Sequence, residues 1–319
     1  MSEASGTSDN GQLAARASTP IEETREGGDE QRARDEEQVV AVSNVFHPSA
    51  NLLPGRADTV LLSSDHVFFY VASSVLRQHS TNSFSHPLPD ATLGGDSADD
   101  GHLTMIAMRE DRHTVNVMVH TLYGLPCTQF EPCLDALAGA CAGLHARGVP
   151  LAAHIAPGTP LFAHLVARVP SAPLFVYTLA GEHDLYALAQ QAAPHLLSTK
   201  LDAIPDACTA RMGPLYLHRL LALQMRRVAA LRAVLAAPPL PHPQPVLGCD
   251  SDAQERVANA WLLTSGHLIW DARPELTPTS MDVTFTNVGR SIRCYYCKRA
   301  YTDRLTKALN DWEQVPRTI

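Results

Sequence analysis

Residues 57–84, ADTVLLSSDHVFFYVASSVLRQHSTNSF, narrow the possible folds more than any other stretch of the chain. Two short apolar runs, Thr59–Leu62 and Val67–Val71, flank the polar turn Ser63, Ser64, Asp65, His66. β-Branched and aromatic residues bounded by Ser and Asp predict a hairpin. Behind it, Val75, Leu76, His79 and Ser80, then Phe84, keep the spacing of a short helix with one buried face.

A further strand, turn and helix follow. Leu103–Met108 (LTMIAM) is apolar enough for a third strand, and Arg109, Glu110 and Asp111 make a charged turn after it. Val115, Met118, Val119, Leu122 and Tyr123 follow at helical spacing, and Gly124 closes that helix. Thr128–Gly148 predicts a further helix with Pro132 in its first turn and Leu134, Leu137, Cys141 and Leu144 as its stripe.

This arrangement resembles a BTB/POZ domain. The family pattern of an acidic residue and Val, an aromatic strand, a Val-Leu pair, Ser and Phe is matched by Asp58, Val60, Phe69, Val75, Leu76, Ser80 and Phe84. The strand, acidic turn and Tyr-ended helix over 103–123 supply a second block. Ala72 and Ser73 depart from the family, standing where it usually has His and a basic residue. The resemblance implies a protein-interaction module that homodimerises, with Val75, Leu76, Ser80 and Phe84 on the dimer seam. It also implies, for some members, a link to a cullin-type ligase. Such adaptors often carry an apolar-x-Glu motif after the helix, which Leu125-Pro126-Cys127 does not supply.

Beyond residue 152 the pattern is helical. Thr159 and Pro160 open one helix, with stripe Leu161, Leu165 and Val169, and Pro173 opens another that turns at Gly181. Asp184 is expected to cap a third helix carrying Leu185, Leu188, Ala192 and Leu196. The segment FVYTLAGEHDLYALAQQAAPHLL is similar to the helical extension of many fungal BTB proteins. Leu215–Ala237 is the longest helical run, and PPLPHPQP breaks it into an extended linker. Three more helices are expected around Trp261, Phe285 and Tyr301–Trp312.

The predicted fold class is α+β and mostly helical: a BTB/POZ-like domain (a small sheet with helices) at 43–152, a helical extension at 153–237, a Pro-rich linker at 238–246 and a small C-terminal helical region at 247–319. Residues 1–42 are expected to be a disordered mixed-charge tail, because EETREGGDEQRARDEE lacks the apolar surface to offset chain entropy.

Composition removes several functions. A net charge of −8 argues against a general nucleic-acid binder. No run of about 18 apolar residues predicts a membrane span. The first residues are polar, so no signal peptide is expected, and seven mostly single cysteines suit a reducing cytoplasm or nucleus. No GxSxG, HExxH or GxxxxGK[ST] motif occurs, so no catalytic residue, cofactor or enzyme activity is expected.

Cys294-Tyr-Tyr-Cys297 is the one CxxC. A structural zinc site needs two further ligands, and Cys249 and His267 are the nearest candidates, neither at a motif spacing. Two semi-buried cysteines on a turn, or a redox pair with basic neighbours Lys298 and Arg299, are the alternatives. The fifteen histidines are dispersed. Arg290, Arg293, Lys298, Arg299, Arg304 and Lys307 form a basic cluster that reads as a solvated face. The functional expectation is a non-enzymatic, self-associating scaffold or adaptor with protein partners. The competing expectation is a transcription-associated regulator whose C-terminal region contacts zinc or nucleic acid.

Overall fold

The two apolar runs and the polar turn between them form the expected hairpin. In the computed structural model, which describes residues 41–50, 52, 57–88, 103–271 and 273–319, β2 (Thr59–Leu62) pairs antiparallel with β3 (Val67–Val71), placing Leu61 opposite Phe69. β1 (Ala41–Val42) runs parallel to β3, and β4 (Thr104–Ala107) parallel to β2, giving the order β1-β3-β2-β4. Period-two alternation sends Val67, Phe69, Val71 and Ile106 into the core and leaves Met105 59% exposed on the edge strand. β1 occupies the end of the stretch expected to be a tail; residues 1–40, and residues 89–102 of the expected loop, lie outside the described residues.

The polar residues of the hairpin lock it to its neighbours. Asp58 accepts hydrogen bonds from the N–H and Oγ of Ser73, both at 2.6 Å, at the start of α1 (Ser73–His79). That helix has no capping side chain of its own, so Asp58 satisfies an otherwise orphan donor. The Tyr123 hydroxyl accepts from Ala72 N at 2.8 Å. Ala72 and Ser73 thus serve as backbone and cap partners where a His and a base were absent. After β4, Asp111 caps α2 (Arg112–Leu122) through Thr114 N, and Glu110 makes a bidentate pair with Arg147 at 2.8 Å.

Several sequence expectations need correction here. α1 ends at His79; Ser80 is its C-cap, and Phe84 sits in a short turn with a left-handed φ of 58°. Val75, Leu76 and Phe84 are 2%, 0% and 0% exposed, so this chain's own core consumes the side chains assigned to a dimer seam. Ser80 instead donates to Arg147 O at 2.6 Å and accepts from Phe84 N. α3 (Leu134–Ala146) begins after Pro132, because a separate 3-10 turn occupies Thr128–Phe130. A short helix α4 (Leu151–His154) follows.

The extension packs α5 (Pro160–Arg168), α6 (Pro173–Glu182) and α7 (Tyr186–Ala192) with α8 (Asp206–Leu235). Gly181 lies inside α6 and makes no turn: a Cβ there would stand 2.6 Å from Met212 O, so glycine permits the close approach of α6 and α8. Asp184 adopts a left-handed φ of 52° and caps nothing at the start of α7; its carboxylate accepts from Tyr216 Oη at 2.8 Å. α8 is broken at Gly213 (φ 73°, ψ 167°), where Pro214 cannot supply a helical N–H.

The C-terminal helices are α9 (Ser251–Asp271), α10 (Pro278–Gly289) and α11 (Tyr295–Glu313). Their core holds Trp261, Met281, Phe285, Tyr301 and Trp312, together with Leu231 and Leu235 from α8. Tyr216, Leu220 and Leu223 of the same helix belong to the first core. The expected boundaries at 237 and 247 therefore cut through shared packing: α8 carries both cores. At the changeover Arg227, only 2% exposed, donates to Pro274 O, Val315 O and Pro316 O and lies 4.3 Å from the Trp312 ring centre. The protein is α+β and mostly helical with a small sheet. No helix among the described residues is long and apolar enough to cross a membrane.

Candidate metal centre

Three pieces of local structure bring metal-ligating atoms to one point. The first is the helix start that the CxxC spacing creates. Cys294 is the N-cap of α11 and Cys297 lies in its first turn, so a three-residue step places both sulfurs on one side of the helix end. The second is the turn before α9. Gly248 takes a left-handed φ of 81°, Cys249 N donates to Val246 O, and Asp250 accepts from Ala253 N at the head of the helix. The third is the Pro-rich segment, where His242 N donates to Gln254 Oε1 on α9 at 3.0 Å.

His242 Nε2 lies 3.4 Å from Cys249 Sγ and 3.4 Å from Cys294 Sγ, and Cys249 Sγ lies 3.5 Å from Cys297 Sγ. All four ligand atoms fall within 4.8 Å of one another. Tetrahedral zinc with Zn–S near 2.3 Å requires sulfur–sulfur edges of about 3.8 Å and slightly shorter nitrogen–sulfur edges. The two His242–sulfur spacings and the Cys249–Cys297 spacing come within a few tenths of an ångström of such edges, and the whole set stays within 4.8 Å, the scale of one four-coordinate ion.

The second layer agrees with the first. His242 Nδ1 lies 2.9 Å from Gln244 O; donation of Nδ1–H to that carbonyl leaves the Nε2 lone pair facing the sulfurs. The amides of Cys297 and Tyr296 point at the Cys294 sulfur. The Cys297 amide is the main reason that the Cys294 thiol is drawn down to about 7. Burial, with the two other thiols beside it, pushes Cys297 up to about 12, and burial also raises Cys249. A divalent cation would reverse that cost by holding all three as thiolates. Three thiolates and a neutral imidazole around Zn²⁺ carry one net negative charge, and Arg256 and Arg293 line the adjoining cavity of about 450 Å³.

Of the ligands expected from sequence, Cys249 joins Cys294 and Cys297. His267 does not, because α9 carries it outward to an exposed position. The fourth donor, His242, lies in the segment expected to be only a spacer. No motif spacing marks it; the weak signal was one His among prolines that hold the backbone extended. Of the basic cluster, Arg290, Arg293, Lys298, Arg299 and Lys307 lie on the exposed surface and only Arg304 is drawn inward. Arg304 donates to Ala237 O and Val234 O and stacks 5.0 Å from the Trp261 ring centre, Lys307 pairs with Asp311, and Arg299 lies 3.8 Å from Asp303.

No family model matches the chain, and neither the curated proteins nor the solved structures supply a match. Fold and site together define a mostly helical α+β protein with a closed Cys3His donor set.

Proposed function

We propose that this chain is a non-enzymatic protein-interaction scaffold whose C-terminal helical module is stapled by a structural zinc ion. The observation that carries the metal assignment is the convergence of His242, Cys249, Cys294 and Cys297 within 4.8 Å. Sulfur-rich tetrahedral sets favour zinc. Four protein ligands leave no open coordination position, which supports a structural ion over a catalytic one. The ion would join the segment after α8, the turn before α9 and the start of α11.

The interaction role draws on the BTB/POZ-like order of hairpin, helix, strand and Tyr-ended helix. Since the apolar residues of α1 are spent in the core, self-association is assigned to the edge that β4 forms among the described strands, where Met105 projects. Apolar residues such as Trp270 on α9, 90% exposed, give protein partners a further surface. The regulator reading shares the zinc, but Arg304 is spent on Ala237 O and Val234 O, and Asp303 and Asp311 stand beside Arg299 and Lys307 on the exposed face, which with the net charge of −8 disfavours nucleic acid as the partner. The missing apolar-x-Glu motif at Leu125–Cys127 speaks against a cullin partner. Elemental analysis should return one zinc per chain, and light scattering at micromolar concentration should return a dimer. A metal-free protein removes the first claim and a monomer removes the second.

A further inference from the structure

The metal centre is closed in coordination, but a cavity reaches it from one side. Cys249, Cys294 and Cys297 all line the cavity of about 450 Å³ between α9 and the turn from α10 to α11. Cys249 and Cys297 are buried at 9% and 6% exposure, while Cys294 is half-buried. Cys294 is therefore the thiolate that a small reagent entering this cavity meets first. A second thiolate stands beside it. Cys294 is the N-cap of α11 and Cys297 lies in its first turn. A three-residue helical step separates Cα atoms by about 5 Å, inside the range that a disulfide spans without moving the backbone. The sulfurs of the cluster lie within 4.8 Å of one another. Arg256 and Arg293 line the same cavity and, among the described residues, no carboxylate does, so its mouth is cationic.

Resting on the zinc assignment above, we propose that Cys294 and Cys297 form a peroxide-sensitive pair that releases the ion on oxidation and rebuilds the site on reduction by a dithiol. The Cys294 thiolate attacks one oxygen of hydrogen peroxide; the S–O bond forms, the O–O bond breaks and hydroxide departs. The Cys297 thiolate then attacks the Cys294 sulfur; the S–S bond forms, the S–O bond breaks and a second hydroxide departs. The two sulfurs together lose two electrons and the peroxide gains them. Both hydroxides take protons from solvent, so the products are one disulfide and two waters. The cationic mouth of the cavity favours the departing hydroxides. Only His242 and Cys249 then remain as ligands, half of what a structural zinc site needs. The ion leaves, and the segment after α8 loses its tie to α11. Exposure alone would instead select Cys133, the exposed N-cap of α3. Cys294 differs in having a resolving thiolate three positions away and a metal that holds both sulfurs deprotonated.

The test is stoichiometric hydrogen peroxide added to the full zinc-loaded chain, read with a colorimetric zinc indicator and by peptide mapping after differential alkylation. About one zinc should enter solution for each Cys294–Cys297 disulfide. This disulfide should form at least about threefold faster than Cys133 is oxidised. Dithiothreitol, which takes the disulfide onto its own two sulfurs, should restore the parent metal content when zinc is added back. Cys133→Ser should leave the rate of zinc release unchanged. A chain that holds no zinc before peroxide is added removes the metal assignment and this inference together. A zinc-loaded chain that keeps its ion while Cys133 is oxidised, that pairs Cys294 with Cys249, or that needs Cys133 for release overturns the switch and leaves the metal assignment standing.

Discussion

Removing the metal tests the central assignment quantitatively. Cys249 and Cys297 are separated by 48 residues, and the ion closes that segment into a loop. By the chain-entropy argument used for cross-links, closing a loop of this length restricts the unfolded chain by about 4 kcal/mol. The C-terminal core survives the loss in part, since Trp261, Phe285, Tyr301 and Trp312 remain packed against Leu231 and Leu235 of α8. Chelation should therefore not unfold the protein. It should lower stability by about 3–4 kcal/mol and release residues 238–250 and the first turn of α11. The assay is urea denaturation of zinc-loaded and chelated protein, with amide exchange read over those segments. Cys249→Ser and His242→Ala should each reproduce the chelated state and lose sensitivity to chelator. If chelation leaves the denaturation midpoint and the exchange of residues 238–250 unchanged, the ion does not staple the module.

Three further outcomes follow from the packing. Arg227→Met leaves the carbonyls of Pro274, Val315 and Pro316 without their buried donor, and at about 1 kcal/mol or more for each it should cost at least about 3 kcal/mol in chemical denaturation; a loss below about 1 kcal/mol would contradict the role given to Arg227. Gly181→Ala drives a methyl against the backbone of Met212 and should destabilise by about 1–3 kcal/mol with a shifted α6–α8 spacing; a neutral result would show that the two helices separate freely. Burial lowers the pKa of His79, His120, His154, His164 and His183 below 6.5. A depressed folded pKa means that the unfolded chain binds more protons, so stability present above 6.5 is lost as the pH falls from 6.5 through the folded values. Imidazole resonances followed by NMR should titrate below 6.5 at these five positions, and midpoints at or above that value would refute the burial argument.

Much of the scaffold was legible because short-range patterns report short-range forces. Short runs of β-branched and aromatic residues bounded by Ser and Asp marked β2 and β3, and the acidic turn marked the start of α2, where Asp111 does cap the helix. Helix ends were less legible. Asp184 has the composition of a cap, but its carboxylate is engaged by Tyr216 from α8, 32 positions away. Gly181 looks like a turn residue, but it lies in the last turn of α6, and only the neighbouring backbone of Met212 explains why a glycine stands there. Val75, Leu76 and Phe84 were identified as important apolar residues, yet whether an apolar face meets a partner or the chain's own sheet is a property of packing alone.

The metal centre divides along the same line. Sequence by itself marked the Cys294–Cys297 pair, because a three-residue step is local, but set it on a turn ahead of the last helix; the structure begins α11 at Tyr295, so Cys294 caps the helix and Cys297 lies inside it. Sequence also named Cys249. Only the tertiary structure decided the fourth ligand. His242 stands 52 positions before Cys294 and has no motif spacing; the Pro-rich segment reaches the site because Gln254 holds its backbone on α9 and Gln244 O turns its ring. Tertiary packing likewise left His267 exposed. Ligand geometry is a matter of three-dimensional distance, and for residues this far apart the chain specifies that distance through its whole packed core.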